Sequence, residues 1–256
     1  MTAVSTYYRV LPAVEPETVL PVCATWFMSE SRRSDREPAA RAGPESSPLS
    51  PRSASVPGMR QFVLIGHEVP TDPSFSLDDL AGGAGRLDAL CRSVTAAFVT
   101  SHGIREDVRV HLVARDEFTI TFDGSELRRL NPDERSTAAL IRKALEHREE
   151  AIGAMPAEPS PGVELYRRGF EATLEAVADE GTVVQLHEDG DPVGETDPLE
   201  DPIFVLSDHR EFTPEETELL GSAADRRLRL GPELLHADQA ITVAHHWLDT
   251  DGYERF

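Results

Sequence analysis

Four residues, Gly85-Arg86-Leu87-Asp88, set a guanidinium two positions before a carboxylate at what reads as the start of a helix. A carboxylate so placed can take a proton from a substrate, and the arginine can hold a phosphate or a developing negative charge. An ordinary helix start uses the same residues, an acid beside the dipole and an arginine in solvent. A second stretch, Leu230-Gly231-Pro232-Glu233-Leu234-Leu235, has the makings of a dry binding loop. Gly231 permits close backbone approach, Pro232 stiffens the turn and the leucines can wall off water. On the residues alone, core packing and a plain turn are the readier account of them. His209, His236, His245 and His246 have no carboxylate or cysteine recurring at ligand spacing, so we expect solvent or interface positions and no metal.

The elements that must carry the loop are written in the C-terminal block. The apolar run Ile203-Phe204-Val205-Leu206 stops at Ser207-Asp208, and a helix opens at Thr213-Pro214-Glu215-Glu216 with a cap threonine, proline at the first helical position and glutamate three residues after the cap. Residues 226–230 alternate like a short strand, Gly231-Pro232 breaks it, and 237–248 places Ile241, Ala244, Trp247 and Leu248 on one helical face. Two strand ends and two loops would thus meet at one edge of a sheet, where open α/β sheets hold their ligands.

Upstream, Arg60 to Gly66 reads as a fully buried strand, and Leu87, Leu90, Cys91, Val94 and Phe98 recur at helical spacing until Gly103. Strands follow at 108–114 and 118–122. Asn131-Pro132-Asp133-Glu134 caps a long helix whose buried face is Leu140, Ile141, Ala144 and Leu145, and Val163, Tyr166, Phe170, Leu174 and Val177 mark another helix before a strand at 182–186. This alternation predicts an α/β fold, a mainly parallel sheet with helices on both faces.

The chain has 256 residues and a net charge of −21. So acidic a protein repels nucleic acid unless salt screens the field or its bases are gathered in one place. Excess carboxylate with Lys143 as the sole lysine suits a cytoplasm of high salt, so we expect a halophilic source. Bases do gather locally: Arg128, Arg129, Arg135, Arg142 and Lys143 form one group, Arg226, Arg227 and Arg229 another. The two cysteines, Cys23 and Cys91, have no neighbour that suggests a clip, which fits a reducing compartment. No apolar run approaches a membrane span, and 18–28 is short and broken by Pro21, so neither a membrane span nor a signal peptide is expected. Residues 1–58 hold 8 of the 19 prolines and are neutral overall, six arginines against six acids. We expect this segment to be disordered, or translation to begin at Met59.

The runs MRQFVLIGHE, GRLDALCR, VRVHLVARDEF, GSELRRLNPDERSTAALIRKAL, FVLSDH and LGPELLHADQ, spread from Met59 to the C-terminus, resemble the knotted SPOUT-class RNA methyltransferases, and among them the archaeal pseudouridine-54 N1-methyltransferases of tRNA. The resemblance implies S-adenosyl-L-methionine as methyl donor, a tRNA substrate, a cytoplasmic homodimer and a C-terminal trefoil knot. It places donor contacts on Leu186, Ser207 and Leu230, Gly231, Pro232, Glu233, Leu234 and Leu235, and on the backbone of Ala240, where the family usually has cysteine. Arg86 and Asp88 match its Arg-x-Asp element, with Asp88 as candidate base. Methylation of rRNA pseudouridine, or a non-catalytic RNA-binding module on the same fold, are the rival expectations, the second kept open by Ala240.

Overall fold

The computed structural model describes residues 58–128 and 130–256; the expectations for 1–57, Cys23 and Arg129 lie outside the described residues. The elements run β1 (Arg60–Gly66), α1 (Leu87–Phe98), β2 (Val99–Thr100), β3 (Gly103–Ile104), β4 (Val108–Ala114), β5 (Phe118–Asp123), α2 (Glu134–Glu146), β6 (Ala157–Ser160), β7 (Val163–Tyr166), α3 (Phe170–Ala178), β8 (Thr182–Pro192), β9 (Pro202–Ser207), α4 (Pro214–Ala223), β10 (Arg226–Arg229) and α5 (Ala237–Asp249). Eight strands form one sheet in the order β10-β8-β9-β1-β4-β5-β7-β6, and β2 with β3 makes a separate hairpin. From β10 to β4 every pairing is parallel; β5, β7 and β6 extend the sheet antiparallel. The parallel expectation therefore holds for the half that carries the two C-terminal loops.

β1 is central because it is apolar on both faces. Phe62 and Leu64 join a core with α1, α2 and α5, in which Leu87, Ile141 and Trp247 are buried. Val63 and Ile65 face the other way, onto Phe170 and Leu174 of α3 and Leu220 of α4. Each such side chain contributes roughly 1.5–3 kcal/mol, so a polar residue on either face of β1 would be destabilising. Two local devices set helix starts as expected: the Asp133 side chain accepts from the Ser136 N–H at 2.7 Å, and Thr213 and Glu216 form a reciprocal capping box.

Three expectations need correction. The helix read through Val163 and Tyr166 is a strand there: Val163 and Leu165 are buried, Glu164 and Tyr166 less so, and the backbone pairs with β5. Helix α3 starts only at Phe170, whose N–H is held by the Asp116 carboxylate at 2.6 Å. Leu140 is half-buried, and Thr137 and Ala138 share the buried face of α2 in its stead. α1 ends at Phe98, well before Gly103, because Val99 is already extended and enters the β2–β3 hairpin.

Candidate active site

In chain order the sheet grows from β1 through β4 to the antiparallel strands and then returns to the other side of β1 as β8, with β9 inserted between β8 and β1. This reversal leaves the C-terminal ends of β1 and β9 side by side, Ile65 opposite Ser207, and it is at such a switch point that an open sheet offers a crevice. The Ser207 Oγ is buried there without a hydrogen-bond partner. A buried hydroxyl left unpaired costs on the order of 1–3 kcal/mol, which a bound ligand with a polar edge would recover.

The neighbouring strand end is irregular. Along β8 the ladder with β10 runs through Gln185 opposite Arg227 and then jumps to Asp191 opposite Leu228, so residues 186–190 bulge out of register. Leu186 stands where regular pairing ends and packs against the main core. The loop after β10 is open. Leu230 is half-buried against the core, residues 231–235 are exposed, and Leu234 is 82 % exposed. The expected leucine wall is thus not closed by the chain's own packing. A Cβ built on Gly231 meets nothing within 4 Å, so the space beside that backbone is free for a ligand. Ala240, in contrast, is 5 % exposed inside α5, and its side chain belongs to the core. These features fit a donor with a flat apolar base and polar edges, held by backbone and by one serine.

Arg86 and Asp88 open α1 as expected, but in an unusual backbone. Gly85 and Arg86 both have positive φ, 57° and 62°. A Cβ at Gly85 would lie 2.1 Å from the Glu68 carbonyl oxygen, so glycine is required, whereas Arg86 bears the left-handed strain itself. That conformation sends the guanidinium back over the helix start, where Arg86 Nε donates to Asp88 Oδ1 at 3.0 Å and Nη2 to Oδ2 at 3.2 Å. Burial alone would push the Asp88 carboxyl up, but hydrogen bonds and charge from Arg86 and Arg92 outweigh it and hold the group below the ordinary carboxylate range. Asp88 is ionised, able to accept a proton, and equally a holder of the Arg86 guanidinium.

Arg92 was not singled out from sequence. Its Nη1 donates to Asp88 Oδ2 at 2.9 Å and to Glu134 Oε1 at 3.1 Å, and its Nε lies 3.9 Å from Asp238 at the start of α5. It thereby ties the Arg86–Asp88 pair to the helix that follows the loop 230–235, beside a cleft of about 520 Å³ between α1, α2 and α5. The four-residue spacing from Asp88 was the available signal.

A concavity of about 920 Å³ lies elsewhere, on the antiparallel half around Arg109, His111, Tyr166 and Arg168, and includes none of the expected site residues. The unpaired Ser207 hydroxyl, the open Gly231 loop and the Arg86–Asp88 pair follow the C-terminal ends of the parallel strands instead. The basic residues do not form one patch: Arg226, Arg227 and Arg229 lie on edge strand β10, whereas Arg142 and Lys143 lie on α2, beside β6 at the opposite edge. Arg135 is paired with Asp78. Among the histidines, His245 departs from expectation. It is 4 % exposed, with Nε2 on the Ala97 carbonyl at 3.0 Å and its ring against Phe62, and burial drives its pKa down to about 3. Among the described residues no group of three potential ligands could hold a metal, and no helix is long and apolar enough to cross a membrane.

A family described as "Putative SAM-dependent RNA methyltransferase" matches residues 59–253. The tRNA (pseudouridine(54)-N(1))-methyltransferase of Haloferax volcanii is 71% identical over 198 residues, covering 77% of this chain and 100% of the relative. The chain belongs to this methyltransferase family. The protein of the same name from Haloarcula marismortui is 70% identical over 198 residues, with the same coverage. That from Methanocella arvoryzae is 41% identical over 191 residues, covering 73% of this chain and 97% of its own. The family's fold is also seen in Archaeoglobus fulgidus Nep1 bound to S-adenosylhomocysteine, with a TM-score of 0.53 at 15% identity, covering 75% of this chain and 97% of that one. The high-identity relatives come from halophilic archaea, in keeping with the acidic composition.

Proposed function

We propose that residues 59–256 are a methyltransferase domain that moves the methyl group of S-adenosylmethionine to N1 of pseudouridine 54 in tRNA, acting as a homodimer with a C-terminal trefoil knot. The observation that carries the reading is 71% identity over the whole length of a relative of that name and 77% of this chain, joined to an Arg86–Asp88 pair and an unpaired Ser207 on one sheet edge. When bound, the donor supplies an electrophilic methyl on a sulfonium. The chain's task is then mainly positioning, since the nucleophile must approach in line with the breaking bond. Backbone groups of 230–235 read the adenine edge, Leu186 and Leu230 give it an apolar seat, and Ser207 satisfies a polar edge. Arg86 faces a phosphate or the charge that gathers on the uracil ring, and Asp88 takes the N1 proton as the new N–C bond forms. The knot rests on the match of residues 59–253 to the family. The dimer rests on the family likeness.

Incubation with donor and tRNA carrying pseudouridine at position 54 should yield one N1-methylated nucleoside at that position, mapped by mass spectrometry, and tRNA with uridine there should stay unmodified. Methylation at another nucleotide would overturn the assignment. The domain boundary has its own test. The Met59 N–H donates to Asp201 Oδ1 at 2.6 Å, so a chain that begins at Met59 would place its terminal ammonium beside a carboxylate. Such a chain is expected to keep the melting temperature and turnover of the full protein. A lower melting temperature would show that residues 1–58 contribute to the domain.

A further inference from the structure

We propose that His67 is a positioning residue for methyl-donor binding, clamping the turn that presents Ser207 to the end of β1 and to the start of α4. The inference rests on the donor site proposed above. Immediately beyond the last paired residues of β1 and β9, the Asp208 carboxylate accepts the His67 backbone N–H at 2.9 Å through Oδ2, and its Oδ1 is 2.9 Å from the ring Nδ1. Oδ1 also accepts the Arg210 N–H at 2.9 Å, so this carboxylate, whose side chain is 1 % exposed, knits both sides of the turn. The other ring nitrogen, Nε2, is 3.0 Å from Glu216 Oε2, an oxygen that also accepts the Thr213 N–H in the capping box of α4. One imidazole therefore joins β1, the 207–212 turn and α4, next to the unpaired Ser207 hydroxyl.

Both ring nitrogens face carboxylates, so only the imidazolium can donate to both at once. A neutral ring would turn a lone pair toward one of them and release either the turn or the helix start. The charged groups around this cluster are Glu68, which pairs with Arg210 and has its carbonyl held by Arg115, and His209, which lies 3.7 Å from Asp208 and 3.9 Å from Glu68. None of these touches the His67 ring, which leaves Asp208 and Glu216 as the groups that govern it. Burial alone would pull the His67 pKa down, but the two carboxylates outweigh it and raise it above the ordinary 6.5. With the folded value raised, the stabilisation of the clamp is complete below the ordinary value and is lost as pH rises through the raised one.

The test is calorimetric titration of the folded full-length protein with S-adenosylhomocysteine across pH 5 to 9 in high salt. Wild-type affinity should fall with rising pH in a single step. His67→Gln, which keeps one donor and cannot be charged, should bind about tenfold more weakly at low pH, the equivalent of roughly 1.4 kcal/mol, and should lose the step. Glu216→Gln keeps the capping oxygen and removes one charge, so the step should remain and move to lower pH. A purely structural histidine would change the melting temperature of these variants and leave the pH profile of binding in place. Wild-type affinity with an unchanged step in His67→Gln overturns the clamp alone. Failure of the wild-type protein to bind S-adenosylhomocysteine at any pH overturns the donor site, and the clamp with it.

Discussion

Asp88→Asn is expected to lower turnover on pseudouridine-containing tRNA on the order of 10²–10⁴-fold while S-adenosylhomocysteine binds as before. The carboxylate does two things that the amide cannot. As an ionised group it can receive the N1 proton, and as the shared acceptor of Arg86 and Arg92 it holds two guanidiniums close together. Asparagine keeps the shape, removes the charge and turns an NH₂ toward groups that can only donate. Raising the pH separates the two contributions. N1 loses its proton without help in sufficiently alkaline solution, so the part of the loss that belongs to proton acceptance should be rescued. The part that belongs to Arg86 should not, because a misplaced guanidinium does not titrate there. Since the paired arginines hold the Asp88 pKa low, which weakens it as a base, the rescue is expected to be partial. The rates must be measured in high salt, because self-repulsion in a chain of net charge −21 would otherwise unfold the variant and imitate lost catalysis. Wild-type turnover in Asp88→Asn would reduce Asp88 to a helix-start carboxylate.

Gly231→Val should abolish detectable S-adenosylhomocysteine binding and leave the fold nearly unchanged. The protein itself offers the new side chain no obstacle, since a Cβ at this exposed position has no heavy atom within 4 Å. A substitution in such a place ordinarily changes stability by no more than about 0.5 kcal/mol. Whatever the valine excludes must come from outside the chain. A donor base laid against the 230–235 backbone would meet two methyl groups where it now meets open space, and the backbone hydrogen bonds that read its edge would lengthen beyond use. The check is calorimetry on the variant beside its thermal melt: an unchanged melt with lost binding is the expected pair. Unchanged binding would remove this loop from the donor site.

What could be read from sequence was what short-range chemistry fixes. The cap residues Asp133 and Thr213 act within one helical turn, and the apolar runs in β1 and β9 read as strands, which the structure buries on both faces. Through its likeness to a family, the sequence also pointed to the reaction and the donor, and the relatives bear that out. Where periodicity failed, the competing information was non-local. Val163, Tyr166 and Phe170 fall at helical spacing, yet the first two pair with β5, a strand far upstream that the local pattern cannot reveal. His245 read as a solvent or interface histidine because nothing near it in the chain reveals that Phe62 and Ala97 enclose it. Arg92 could be seen to reach Asp88 one turn away, but not Glu134 or Asp238, which arrive only when α1, α2 and α5 pack together. The same holds for His67, whose two carboxylates stand 141 and 149 residues away. Local sequence determined which segments are strands and helices and where most of them begin. Only the tertiary structure decided which charges meet, because a carboxylate's partner is set by distance in space, and that distance is fixed by the register of the sheet and the packing of helices over it.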